Sequence, residues 1–295
     1  MKRSHWPAII SSFICLMAVL AGVFAEQANG TVPPVAAISD HQQKMVYEVY
    51  AGGINAVTAE MDVAYESEDR YHMSLAARTK GFLGKLAPWS GIFETKGWRK
   101  EDGTDIPEMH RSSATWRDEE EIKEYSYGKD GSFKGLRVIE EGKDKSEKID
   151  DELTQGTTDA LTATLEVMKH IAAGGGCEGS SEVFDGDRRF ELVFVHEAEE
   201  MLEKTKYNVY SGPAVRCTVE VRPISGKWGT KPRGWLSIQE QGREGGMLPT
   251  VWMAKIDDVG PAIPVKVRVK TDYGTLFSHL IGYKNGTKEF SVKED

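Results

Sequence analysis

Cysteine is scarce in this chain. Three occur in 295 residues, and Cys15 lies in the extreme N-terminal segment, which leaves Cys177 and Cys217. Neither belongs to a C-x-x-C, and no histidine stands three or four residues from either, so a zinc-binding pattern is missing. Catalytic signatures are missing as well: there is no G-x-S-x-G elbow, no glycine-rich phosphate loop and no dinucleotide fingerprint. His41, His72, His110, His170, His196 and His279 are scattered, with no H-x-E or H-E-x-x-H spacing among them. Asp185-Gly186-Asp187 lacks the ligand series and distal glutamate of a calcium loop and reads as a tight turn. No catalytic residue, metal or cofactor is expected. Positive charge is also short, with 37 Lys and Arg against 46 Asp and Glu. That balance argues against nucleic acid, whose phosphates demand a basic stripe, and against simple attraction to anionic lipid. One long apolar run exists, from Ala8 to Val23. It falls short of the roughly 20 residues that a bilayer-spanning helix needs.

That run follows Lys2 and Arg3 and closes on Val23-Phe24-Ala25, the pattern of a secretory signal peptide cleaved after Ala25. The expected compartment is the periplasm of a Gram-negative cell. Cleavage leaves residues 26–295 and, by removing Lys2 and Arg3, takes the formal charge from −9 to −11. Residues 26–43 read as a flexible leader and 44–295 as one β-rich domain. In an oxidising compartment Cys177 and Cys217 are most simply a disulfide, a metal pair or a reactive thiol being the alternatives. Closing a loop of about 40 residues stabilises a fold by roughly 4 kcal/mol in the chain-entropy model.

From Met45 onward the dominant period is two. Val57, Ala59, Met61, Val63 and Tyr65 form one alternating series, and Tyr71, Met73, Leu75 and Ala77 form another. Val215, Cys217, Val219 and Val221, then Ile263, Val265, Val267 and Val269, repeat the pattern. Each series is a strand with one dry and one wet face, the mark of antiparallel sheet. Turn signals at Gly52-Gly53, Glu68-Asp69, Asp102-Gly103, Asp130-Gly131, Asp185-Gly186 and Tyr273-Gly274 separate the strands. One segment differs. Leu161, Leu165, Met168 and Ala172 recur at helical spacing within 157–173, between an N-terminal β half (44–150) and a C-terminal one (181–284). The expected fold is mainly β: a strongly curved antiparallel sheet, an open barrel or β-spiral, with this amphipathic helix packed in its concave side. The mixed charges of 140–152 read as a solvated hairpin or linker.

Two groups of apolar residues stand out. Phe82, Leu83, Leu86 and Trp89 occupy a glycine-bounded connection where a polar turn would be expected. They form either a short plug in the core or the rim of a site. Trp228, Trp235 and Trp252 flank a Gly- and Pro-rich stretch, and they belong to the same mouth or cap the core.

Several short motifs carry a resemblance. They are Tyr47-Glu48-Val49-Tyr50-Ala51-Gly52-Gly53, Thr79-Lys80-Gly81-Phe82, Val183-Phe184-Asp185-Gly186 with Arg188-Arg189, and Tyr210-Ser211-Gly212-Pro213-Ala214-Val215-Arg216-Cys217. Across about Tyr47 to Tyr283 the chain resembles an uncharacterised family of proteobacterial periplasmic proteins, a domain family of unknown function. The resemblance implies a periplasmic β protein with its two cysteines paired and no assigned activity. A looser, architectural likeness is to the lipoprotein carriers LolA and LolB and the EipB-type envelope proteins, which wrap a sheet around a helix. The expected function is non-catalytic: an envelope protein that binds a lipophilic ligand or an envelope partner in a curved β-shell. The alternatives are an envelope-integrity factor with no small ligand, and a cell-wall or lipid hydrolase.

Overall fold

In the computed structural model, residues 42–228, 248–271, 274–286 and 288–291 are described. The expected signal peptide and Trp235 lie outside them. Strand β1 (Gln42–Ala51) begins two residues inside the expected leader. It is followed by β2 (Ile54–Ser67), β3 (Arg70–Thr79), helix α1 (Gly81–Leu86), β4 (Trp89–Arg99), β5 (Asp105–Trp116), β6 (Glu119–Tyr127), β7 (Phe133–Glu140) and β8 (Lys143–Asp144). Two helices then precede the second half, α2 (Asp151–Thr154) and α3 (Ala160–Ala172). The second half comprises β9 (Gly179–Phe184), β10 (Arg188–Leu202), β11 (Gly212–Gly226), β12 (Thr250–Ala254), β13 (Ile263–Thr271), β14 (Gly274–Asn285) and β15 (Lys288–Ser291).

All these strands form one antiparallel sheet. Its order is β8-β7-β6-β5-β4-β3-β2-β1-β14-β13-β12-β11-β10-β9, with β15 paired to β14 beyond the reach of β13. The two halves are joined where β1 lies between β2 and β14, paired from Gln43 opposite Asn285 to Ala51 opposite Leu276 with a shift of register between Val46 and Tyr47. The dry faces read from the sequence are the core. Val57, Ala59, Met61 and Val63, then Tyr71, Met73, Leu75 and Ala77, are all buried, as are Cys217, Val219, Val221 and the β13 series Ile263 to Val269.

Helix α3 sits inside the curl of this sheet and touches β3, β4, β5, β9, β10 and β12. The spacing of Leu161, Leu165 and Met168 suggests a single apolar stripe, yet Thr162, Ala163, Thr164, Val167 and Ile171 are buried too. A helix laid on an open sheet wets its outer side, whereas one wrapped by strands is covered nearly all round. Polar clasps hold both its ends. At the N-terminus Asp159 caps the helix, accepting from the Leu161 and Thr162 backbone N–H groups. At the C-terminus Lys169 donates to Asp105 (2.9 Å) and Glu166 (2.8 Å), and Glu166 accepts from the Asp105 backbone N–H (2.8 Å). The chain then turns into Cys177, which is disulfide-bonded to Cys217 on β11.

One glycine is dictated by this arrangement. A Cβ at Gly97 on β4 would lie 2.3 Å from the Tyr71 ring and 2.1 Å from the Ile106 carbonyl oxygen. Its absence lets Tyr71 lie across β4 and reach Thr162 of α3, oxygen to oxygen 2.7 Å.

Candidate functional site

The path of the sheet begins at β8 and ends at β9, so its two ends must be finished by something other than strand pairing. Residues 145–158 do this. The Lys145 N–H donates to the Val138 carbonyl on the β7 edge (2.8 Å). Farther along, Arg189 on β10 donates to the Glu152 carbonyl, and Thr158 forms a parallel bridge to Val183 on the β9 edge. The charged run 140–152 therefore divides. Its first part is the exposed β7–β8 hairpin, and its remainder belongs to a strap across the seam between the sheet's ends. Under the strap, Tyr125, Tyr127 and Phe184 form a second small core with Phe133, Leu136, Ile149 and Leu153. Phe184 meets Tyr125 and Phe133 edge-on at centroid distances of 6.1 and 5.6 Å.

A cleft of about 90 Å³ opens beside this seam. On one side are His110 and Ser112 of β5 with Lys123 and Tyr125 of β6, and on the other Phe184, Asp185 and Arg188, with Asp159 at the head of α3. The Asp185-Gly186-Asp187 segment is indeed a turn. Asp185 Oδ1 accepts from the Asp187 N–H (3.2 Å) and the Arg188 N–H (2.9 Å), and Gly186 takes the positive φ of 99°. Asp185 also receives the Arg188 guanidinium. Lys123 reaches across the seam to Asp187, 3.7 Å away, as well as to Glu121. Burial alone would pull the Lys123 ammonium down, but Glu121, Asp187 and Asp185 outweigh it and hold its pKa above the usual value.

The innermost feature is a buried Asp159–Thr95–His110 chain. Asp159 Oδ1 accepts from Thr95 Oγ1 (2.8 Å) and from the two helix N–H groups, and its Oδ2 accepts from Thr162 Oγ1 (2.5 Å). Thr95 has one hydroxyl proton, and it goes to Asp159. The 2.7 Å contact from Thr95 Oγ1 to His110 Nδ1 must then be donated by the ring, which assigns the proton to Nδ1 of a neutral imidazole. Burial pushes the His110 pKa below its ordinary value, with Asp159 only partly opposing. On the outer face His279 is lowered to about 4 by burial and by Lys266 beside it.

Both histidines charge more readily in the unfolded chain, so they stabilise the fold fully above about pH 6.5 and lose that contribution as pH falls toward their folded values. Melting temperatures measured from pH 7.5 to 5 are expected to fall below about pH 6.5. The double variant His110→Gln, His279→Gln is expected to show a shallower fall than the parent chain. Identical slopes would show that neither imidazole is held neutral by the fold.

The aromatic and apolar residues singled out in the sequence do not gather at this cleft. Phe82, Leu83 and Leu86 lie on α1, exposed by 71, 37 and 59 %, and no residue of α1 is buried. The helix lies beside the start of β2, where the Lys80 N–H donates to the Ala56 carbonyl (2.9 Å) and the neighbouring Ile54 is also exposed. Thr79 pins the connection, its hydroxyl donating to the Ala87 carbonyl (3.0 Å) and accepting from the Trp89 N–H (3.0 Å). Trp89 itself turns into the core. Trp252 faces outward on β12, opposite Arg216 and Lys266, yet is covered: Lys266 and Arg268 stand over its ring and its Nε1–H donates to Glu200 (2.6 Å). Trp228 packs on Phe190 under the Arg188 guanidinium. Sequence reasoning did not bring His110, Thr95 and Asp159 together. They come from β5, β4 and the head of α3, and no local pattern links them. The one available signal was an aspartate immediately before a helix, which marks a cap.

The disulfide fits a secreted or periplasmic protein. No helix among the described residues is long and apolar enough to cross a membrane. No curated protein matches the chain. Among solved structures, it is similar to a β-barrel-like protein of the domain of unknown function DUF1849 from Brucella abortus. That similarity has 12 % identity and a TM-score of 0.46, and covers 85 % of this chain and all of the other. The family model DUF3108, a protein of unknown function, matches residues 46–281. With that span covering most of the sheet, the chain belongs to the DUF3108 family.

Proposed function

We propose that this chain is a non-catalytic binding protein of the cell envelope and that it meets an apolar partner through α1. One observation carries the reading. A six-residue helix that buries none of its residues nevertheless shows Phe82, Leu83 and Leu86 to solvent. An exposed apolar cluster of this kind on a folded domain marks a contact surface. The interior favours the same reading. Among the described residues α3 fills the concave side of the sheet, and the seam cleft of about 90 Å³ is far below the roughly 300–1,000 Å³ of small-molecule sites. A partner therefore meets the rim of the shell rather than its inside.

The seam supports a non-catalytic role. Asp159 spends its oxygens on the helix cap and two threonines, and Lys123, Asp185 and Arg188 are engaged with one another's neighbours. On this reading these groups serve to hold the sheet ends together.

The double variant Phe82→Ser, Leu86→Ser tests the reading. It is expected to keep the parent melting temperature, because surface substitutions usually change stability by under about 0.5 kcal/mol. Binding of a fluorescent apolar probe, and native mass spectra of the protein mixed with phospholipid, are expected to lose their signal in the variant. Parent and variant giving equal probe uptake would sink the reading. So would a large loss of stability, which would make α1 part of the core.

A further inference from the structure

A second concavity lies on the outer face, away from the seam; its lining extends to Glu48, which pairs with Lys80 at the head of α1, but includes none of Phe82, Leu83 and Leu86. It is an open groove of about 810 Å³ over β2, β1, β14 and β15. The register explains its shape. Glu60 on β2 stands opposite Val46 on β1, Val46 opposite Gly282 on β14, and Gly282 opposite Ser291 on β15. Beyond Glu60, this row has short side chains and is flanked by longer ones, among them Lys44 and Asp62. The result is a trough running across the strands. At the usual spacing between strands, β2 to β15 spans about 14 Å, the length of roughly four extended residues.

At the Glu60 end of the trough the carboxylate has no ion pair of its own, since the nearby Lys44 pairs with Asp62 instead and Arg78 acts on it only from a distance. Glu60 Oε1 is buried and has no hydrogen-bond partner. The nearby carboxylate Asp62 has Lys44 at 3.7 Å, while among the described residues no cation stands within ion-pair distance of Glu60. Burial, then the neighbouring Asp62, push the Glu60 pKa up and outweigh the opposing pull of Lys44 and Arg78. Val46 and Ile281 offer apolar surface alongside. An ammonium or guanidinium on an aliphatic stem meets both demands, the charge on Glu60 and the stem over Val46 and Gly282.

From this placement we infer that the groove binds a short extended peptide segment carrying lysine or arginine, with Glu60 as the acceptor of its cationic side chain. The site is independent of the α1 surface.

The test is calorimetric titration of the folded, disulfide-bonded chain with an acetylated, amidated tetrapeptide alternating leucine and lysine. A second peptide carries norleucine in place of lysine. Saturable binding of the lysine peptide alone is expected. Glu60→Gln, which keeps shape and removes charge, should weaken it by at least about tenfold. Gly282→Leu should weaken it comparably by filling the trough. A Cβ there lies 3.5 Å from Val46 Cβ, an ordinary contact, so the variant should fold. The Phe82→Ser, Leu86→Ser variant should bind this peptide as the parent does, which separates failure of this site from failure of the α1 surface. No saturable binding by the parent would overturn the inference. So would unchanged affinity in Glu60→Gln, or equal affinity for the norleucine peptide.

Discussion

Replacing both Cys177 and Cys217 by alanine is expected to lower stability by about 4 kcal/mol, which for a chain of this size means a Tm lower by roughly 8–16 °C. The bridge closes a sequence separation of 40 residues, so in the unfolded chain it removes considerable freedom. In the folded protein it ties the end of α3 to β11, with β9 and β10 lying between the two cysteines in the chain. Both cysteines are fully buried, so alanine also removes core atoms and adds to the loss. Urea titrations of the parent and the double variant measure the difference, and a loss below about 1 kcal/mol would contradict the assignment. The same burial predicts slow chemistry. A thiol reductant applied to the native protein should leave the bridge intact for as long as the fold stays closed, and reduce it promptly in urea. Prompt reduction without denaturant would mean that the α3–β11 junction opens readily.

Asp159→Ala is the second large loss, expected at about 3–5 kcal/mol. The carboxylate accepts from Thr95 Oγ1, Thr162 Oγ1 and the Leu161 and Thr162 N–H groups, all within the core. Alanine leaves those donors without an acceptor and uncaps α3 at once. Asp159→Asn should cost less, about 1–2 kcal/mol, because one amide oxygen still accepts from both backbone N–H groups while the amide NH₂ can donate to Thr162. A double-mutant cycle with Thr95→Val should show coupling between the two sites. Additive losses, or an alanine variant within about 1 kcal/mol of the parent, would show that the helix is held by apolar packing alone.

Much of the scaffold was legible in the sequence. The series Val57–Val63, Tyr71–Ala77 and Ile263–Val269 announced their dry faces because alternation is a local consequence of a strand wet on one side. Gly52-Gly53, Asp102-Gly103 and Asp130-Gly131 marked hairpins because those connections need positive φ, and Gly52, Gly53, Gly103 and Gly131 all take it. The helix was legible to within a few residues at each end, since its apolar residues keep the helical period. The site was far less legible. Trp89 and Trp252 are large and apolar in the sequence like Phe82, yet one is turned into the core and the other is covered by two cations, while Phe82 stands in solvent. Composition cannot separate these fates, because each depends on which remote strand lies alongside.

The sequence by itself determined the strand faces, the turns and the position of α3, which follow from local periodicity and backbone preference, whereas the bond between Cys177 and Cys217, one of several readings of the sequence, is fixed by the fold. Only the tertiary structure decided that β14 pairs with β1 and so merges the two halves into one sheet. It also decided that the curl encloses α3 on nearly every side, that residues 145–158 strap the open seam, and that His110 meets Thr95 and Asp159. The physical reason is common to all of these. A strand's pattern specifies which face is dry but not which edge it will pair with. That choice is made by the whole sheet, as it coils to cover the most apolar surface while leaving the fewest backbone groups unpaired.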